Sequence, residues 1–140
     1  MNLQDIITEL SAILTSVTEI AFVYSDRKPN IEGYPAIVFD VTDVDNQVLT
    51  NVENLESAII TIYIVQEIKE ATIALANQYL NLATKAVIKE LASRSNLSLN
   101  STVDWIEPVK GGRKEQVSTT GAVLWQEIKV KVVKSSSTLP

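Results

Sequence analysis

The chain has 140 residues, 46% of them hydrophobic and 21% charged, a balance that suits one folded domain and argues against disorder. It contains no histidine and no cysteine, which excludes disulfides, thiol nucleophiles, Cys/His zinc sites and catalysis by an imidazole base. With 12 basic against 17 acidic side chains and a formal net charge of -5, it is poorly equipped to grip nucleic-acid phosphates, which takes Lys and Arg.

In chain order, Leu3, Ile6, Ile7, Leu10, Ile13, Leu14 and Val17 recur at three- and four-residue steps. They form one apolar stripe on a helix of about four turns. The run Ile20 to Tyr24 reads as a short strand, and the polar, proline-containing 25–30 as a surface loop. Tyr34-Pro35 opens a second strand in which Ile37, Phe39 and Val41 alternate with Val38, Asp40 and Thr42. Residues 43–54 read as an acidic, Asn-rich connection, and 57–66, rich in isoleucine, as a central strand.

From 69 to 94 the period returns to helical. Ile73, Ala76, Leu80, Ala83, Val87 and Leu91 form the stripe, widened by Tyr79 and Ile88. A polar stretch over 93–101 ends it. Val103 to Glu107 makes a fourth strand closed by Pro108, and 110–121 reads as a glycine-bounded basic loop. The last strand, 123–133, sets Leu124, Ile128, Val130 and Val132 against Glu127, Lys129 and Lys131. Residues 1–134 are expected to form a single α+β domain, with 135–140 a loose tail. The order α-β-β-β-α-β-β predicts a mainly antiparallel sheet with two helices packed on one face.

The N-terminus carries Asp5 and Glu9, unlike the basic start of a signal peptide. The longest uncharged run, Ala71 to Thr84, is shorter than the roughly 20 apolar residues of a membrane span. A soluble protein made in a cytoplasm, with no membrane partner, is expected. Asp43-x-Asp45 begins like a calcium loop, but Gln47 and Val48 stand where a further acid or amide and the turn glycine are needed, so no metal is expected. Gly111-Gly112-Arg113-Lys114 lacks the glycine spacing and the Lys-Ser/Thr of a phosphate loop, so no cofactor is expected either. No pairing of carboxylate, Tyr, Ser or Lys suggests catalysis, and the chain does not read as an enzyme.

What the residues do suggest is contact. Residues 1–70 hold 12 acids and 3 bases, a balance of -9; residues 71–140 hold 5 acids and 9 bases, a balance of +4. Such a split suits copies docking negative face to positive face. Lys110, Arg113 and Lys114 in the basic loop are the first candidates for a partner surface, and Asp43, Asp45 and Glu53 in the acidic connection the second. Trp105 and Trp125 are expected to pair across a hairpin. Trp125 shares a strand face with Glu127, Lys129 and Lys131, as an interface anchor would.

An N-terminal helix, the entry Gly33-Tyr34-Pro35-Ala36-Ile37, the β run Ile59 to Val65, one long helix, Trp105-x-x-Pro108 and a Lys-rich last strand together resemble the tail terminator (tail completion) proteins of long-tailed bacteriophages. The likeness covers roughly residues 3–133. It implies a virion protein of the tail or neck, assembled in the bacterial cytoplasm. Such a protein forms a ring, typically of six copies, on the last ring of the tail tube. The ring stops tube growth and offers a surface to the head-tail connector or neck protein, with DNA only as passing cargo. Two other readings stay open: a small non-catalytic ligand-binding or regulatory α+β domain, and another phage neck or head-completion protein.

Overall fold

A computed structural model of the protein describes residues 3–24, 31–48, 53–68, 73–93, 99, 103–118 and 121–137. The elements are α1 (Leu3–Thr15), β1 (Phe22–Tyr24), β2 (Ala36–Val48), β3 (Glu53–Ile68), α2 (Ile73–Leu91), β4 (Trp105–Ser118) and β5 (Gly121–Ser137). The strands form one sheet in the order β1-β2-β3-β5-β4. β1 runs parallel to β2, and every other pairing is antiparallel. This is the expected α+β architecture.

Alternation along the strands puts one set of side chains under the helices. Ile37 and Phe39 of β2, Ala58, Ile60, Ile62 and Ile64 of β3, and Leu124, Ile128, Val130 and Val132 of β5 belong to a single core cluster. The same cluster takes Ile6, Leu10 and Leu14 from α1 and Ala76, Leu80, Ala83, Val87 and Leu91 from α2. Each large aliphatic side chain fully buried this way contributes about 1.5–3 kcal/mol relative to exposure. Leu99, also fully buried, reaches the core from the connection after α2 while holding a φ of 46°. Two members of the expected α2 stripe lie elsewhere: Ile73 is 48% exposed and Tyr79 46%.

The strands outrun their expected lengths. The acidic stretch 43–54 is not one long connection: β2 continues to Val48 and β3 begins at Glu53, with Asp45 opposite Ile59 and Val48 opposite Glu56. A register shift between Asp40, opposite Thr61, and Asp45 absorbs the extra residues. The tail is also shorter than expected. Ser135, Ser136 and Ser137 stay in β5, opposite Leu55, Asn54 and Glu53; 138–140 lie outside the described residues. At about 3.3 Å per residue, the 16 residues of β3 span about 50 Å, whereas the 19 of α2 span about 28 Å.

Candidate functional site

The basic segment that reads as a loop over 110–121 is strand over 110–118 and again at 121. Lys110, Arg113, Lys114, Glu115, Gln116 and Val117 lie opposite Ile128, Gln126, Trp125, Leu124, Val123 and Ala122 of β5. Only 119–120 at the tip lie outside the described residues. Between the Lys110–Ile128 and Arg113–Gln126 pairs, Gly111 and Gly112 together face the single residue Glu127, which is a β-bulge. A Cβ on Gly111 would come within 3.1 Å of both Cβ and Cδ of Glu127, so the bulge is built where a side chain is crowded.

The bulge decides where the three basic residues go. Lys110 and Arg113 share the helix-covered face with Ile128 and Gln126, while Lys114 falls on the second face beside Trp125. The structure therefore separates residues that the sequence placed in one patch.

Arg113 is not a free contact residue. Its Nε donates to Gln126 Oε1 and its Nη1 to Asn77 Oδ1 of α2, each at 2.9 Å. Gln126, 1% exposed, in turn donates from Nε2 to the carbonyls of Gly111 (2.9 Å) and Glu127 (3.0 Å). Arg113 thus ties the bulge and β5 to the first turns of α2. Burial pulls the guanidinium below its usual pKa range, yet an arginine keeps its charge in proteins. Both of these partners are neutral amides, and Nη2 is buried with no hydrogen-bond partner among the described residues.

Lys114 does face outward. Its Nζ sits 5.7 Å from the centroid of the Tyr63 ring, within cation–π range. Tyr63 meets Trp125 edge to face, with centroids 5.5 Å apart and planes at 82°. These three residues, with Ile31, Val38, Glu115 and Gln116, line an open groove of about 460 Å³ on the second face. The Trp125 indole N–H is buried there without a described acceptor. Trp125 and Trp105 do not pair across the hairpin: Trp125 lies opposite Lys114, and Trp105 opposite Val133 at the far end of β4. Asp43, Asp45 and Glu53 lie in β2 and β3, and their side chains are outside the described residues.

Other residues matter that the sequence did not single out. On the flank of α2 toward β4, Asn81, Thr84, Lys85, Ile88 and Lys89 face Lys110 across a groove of about 560 Å³. On the opposite flank, Tyr79 and Leu82 join Glu19, Tyr34, Pro35 and Gln66 around a groove of about 320 Å³. Leu75, Tyr79 and Leu82 are 36, 46 and 56% exposed. Their four- and three-residue spacing is itself a helical stripe, legible in the sequence but about a third of a turn away from the buried one. Burial, the Glu67 carboxylate and then Tyr24 raise the Tyr34 pKa, so its phenol stays protonated and able to donate.

Among the described residues no three His, Cys, Asp or Glu side chains group as a metal site, and no described helix is long and apolar enough to cross a membrane. Compared with known families and curated proteins, the chain matches no family model and no curated sequence.

Proposed function

We propose that this chain is a structural virion subunit that closes head to tail into a ring. The ring caps the tail tube of a long-tailed phage, stops its elongation and offers the surface on which the head connector docks. The identity of the assembly rests on the sequence resemblance to tail terminator proteins. The structural support is one observation: the large exposed apolar side chains fall on unlike elements. Ile73, Leu75, Tyr79 and Leu82 lie on α2, Trp105, Val109 and Val117 on β4, and Phe22 on β1. A closed ring needs two different complementary surfaces on each copy, while a two-fold dimer reuses one. β4 is also an edge strand of the sheet, and exposed edges readily recruit another chain.

Light scattering from micromolar to millimolar protein, with negative-stain images of the same samples, tests this reading. A ring with six-fold symmetry is the expected result, and adding it to growing tail tubes should fix their length. A stable two-fold dimer would instead favour the ligand-binding alternative, for which the open groove beside Tyr63 and Trp125 is the natural site.

A further inference from the structure

The two grooves beside α2 are opposite in character. At 100° per residue, Asn81, Thr84 and Ile88 project on one side of the sheet-facing stripe, and Tyr79 and Leu82 on the other. The β4-side groove carries three cations, Lys85, Lys89 and Lys110, around Ile88. The Tyr79-side groove carries the Glu19 carboxylate, whose Oε2 accepts from Thr18 Oγ1 at 3.2 Å. Glu67 adds its charge close by, near enough to act on Tyr34.

The acidic groove also lacks a donor. Gln66 lines it and is only 9% exposed. Its Nε2 donates to the Glu67 carbonyl at 3.2 Å, but its Oε1 is buried with no described partner. An unsatisfied buried acceptor costs on the order of 1–3 kcal/mol, which a donor brought by a partner would relieve.

We propose that the Tyr79-side groove receives the β4-side flank of α2 from a second copy. A lysine of the Lys85, Lys89 and Lys110 cluster would donate to Gln66 Oε1 beside Glu19, with Ile88 packing on Tyr79 and Leu82. This contact rests on the ring reading and names its interface. The apolar floors exclude water from the charge pairs, and the opposed signs fix the direction of docking. Because the donor and acceptor surfaces lie on opposite flanks of one helix, occupying one leaves the other open, so the contact propagates from copy to copy.

The test uses two charge-reversed variants of the whole chain. The triple variant Lys85→Glu, Lys89→Glu, Lys110→Glu removes the basic flank, and the double variant Glu19→Lys, Leu82→Arg removes the acidic groove. Each variant alone is expected to lose assembly and sediment as the 15.4 kDa monomer. An equimolar mixture is expected to associate again, as a one-to-one pair at the least, because each variant keeps one wild-type surface and the two reversed surfaces are themselves opposite in charge. Formation of that pair also shows that both variants are folded. Rings from both variants, or no pair in the mixture, would overturn this contact while leaving the ring reading intact. A wild-type chain that is a two-fold dimer, or a monomer throughout the concentration range, would overturn both.

Discussion

Arg113 was the natural choice for an exposed contact residue, and its geometry makes the opposite prediction. Replacing Arg113 with Ala removes two hydrogen bonds from a charged donor, to Gln126 and to Asn77. Bonds to charged groups contribute about 1.5–3 kcal/mol each. Relief of the guanidinium's burial offsets part of that loss, because no acidic partner among the described residues compensates it. Gln126 Oε1, on a residue 1% exposed, is left without this donor, which adds to the cost. The net expectation is a loss of about 2–3 kcal/mol, or a melting temperature lower by roughly 6–9 °C for a domain of this size. Urea unfolding of Arg113→Ala, Asn77→Ala and the double variant forms a cycle, and the two changes should couple by about 1 kcal/mol or more. An unchanged urea midpoint in Arg113→Ala, or strict additivity in the cycle, would refute the clamp. The exposed Lys114 is the control, and Lys114→Ala should leave the midpoint close to wild type.

Three further outcomes follow from burial and backbone geometry. Leu80 is fully buried and Leu82 is 56% exposed, so Leu80→Ala should cost about 2–5 kcal/mol in urea melts while Leu82→Ala costs under about 0.5 kcal/mol. Gly121 holds a φ of +153°, which disfavours an L side chain, so Gly121→Ala should destabilise the hairpin by on the order of 1 kcal/mol; Gly112, with open space around its Cα, should accept alanine freely. The Tyr34 phenol has its pKa raised above 10.0 in the folded chain, so its contribution is intact below the unfolded value and is lost as pH rises through the folded one. Wild type should therefore lose more stability than Tyr34→Phe from about pH 10 upward, and parallel alkaline profiles would refute the burial of that hydroxyl.

The parts of the fold legible in the sequence are those where one periodicity meets one apolar surface. Leu3 to Val17 and Ala76 to Leu91 each carry one buried stripe, and Ile59 to Val65 a dense β run, so both helices and the central strand could be read directly. The segments 43–54 and 110–121 read as loops because they are polar and, in the second case, glycine-containing. Over 43–48, 53–54, 110–118 and at 121 they are strand because their neighbours supply the pairing: Gln47 lies opposite Ser57 and Gln116 opposite Val123. Strand preference depends on cross-strand partners far along the chain, which local propensity does not contain. The sites suffered most at the bulge. Lys110 and Lys114 are four residues apart and would share a strand face, but one extra residue puts them on opposite faces.

That bulge makes a deletion informative. Removing 111–119, which looks harmless if the segment is a loop, would take away most of the paired half of β4 and the Arg113 clamp with it. Removing Gly112 alone is different. Gly111 would then face Glu127 one to one, and Arg113 would keep its place opposite Gln126, as would every residue from Lys114 to Ser118 opposite its own partner. Among the side-chain hydrogen bonds of the described residues, the deletion forfeits the long one from Gln126 Nε2 to the Gly112 carbonyl, at 3.4 Å. A chain lacking Gly112 should therefore fold, melt within a few degrees of wild type at about 1 kcal/mol of lost stability, and still show coupling between Arg113 and Asn77. A chain lacking Lys114 should fare much worse, because Glu115 would move opposite Trp125 and every side chain out to the tip would change face. Equal damage from the two deletions would mean that the bulge does not set the register of the hairpin, and the assignment of Lys110 and Lys114 to separate faces would fall with it.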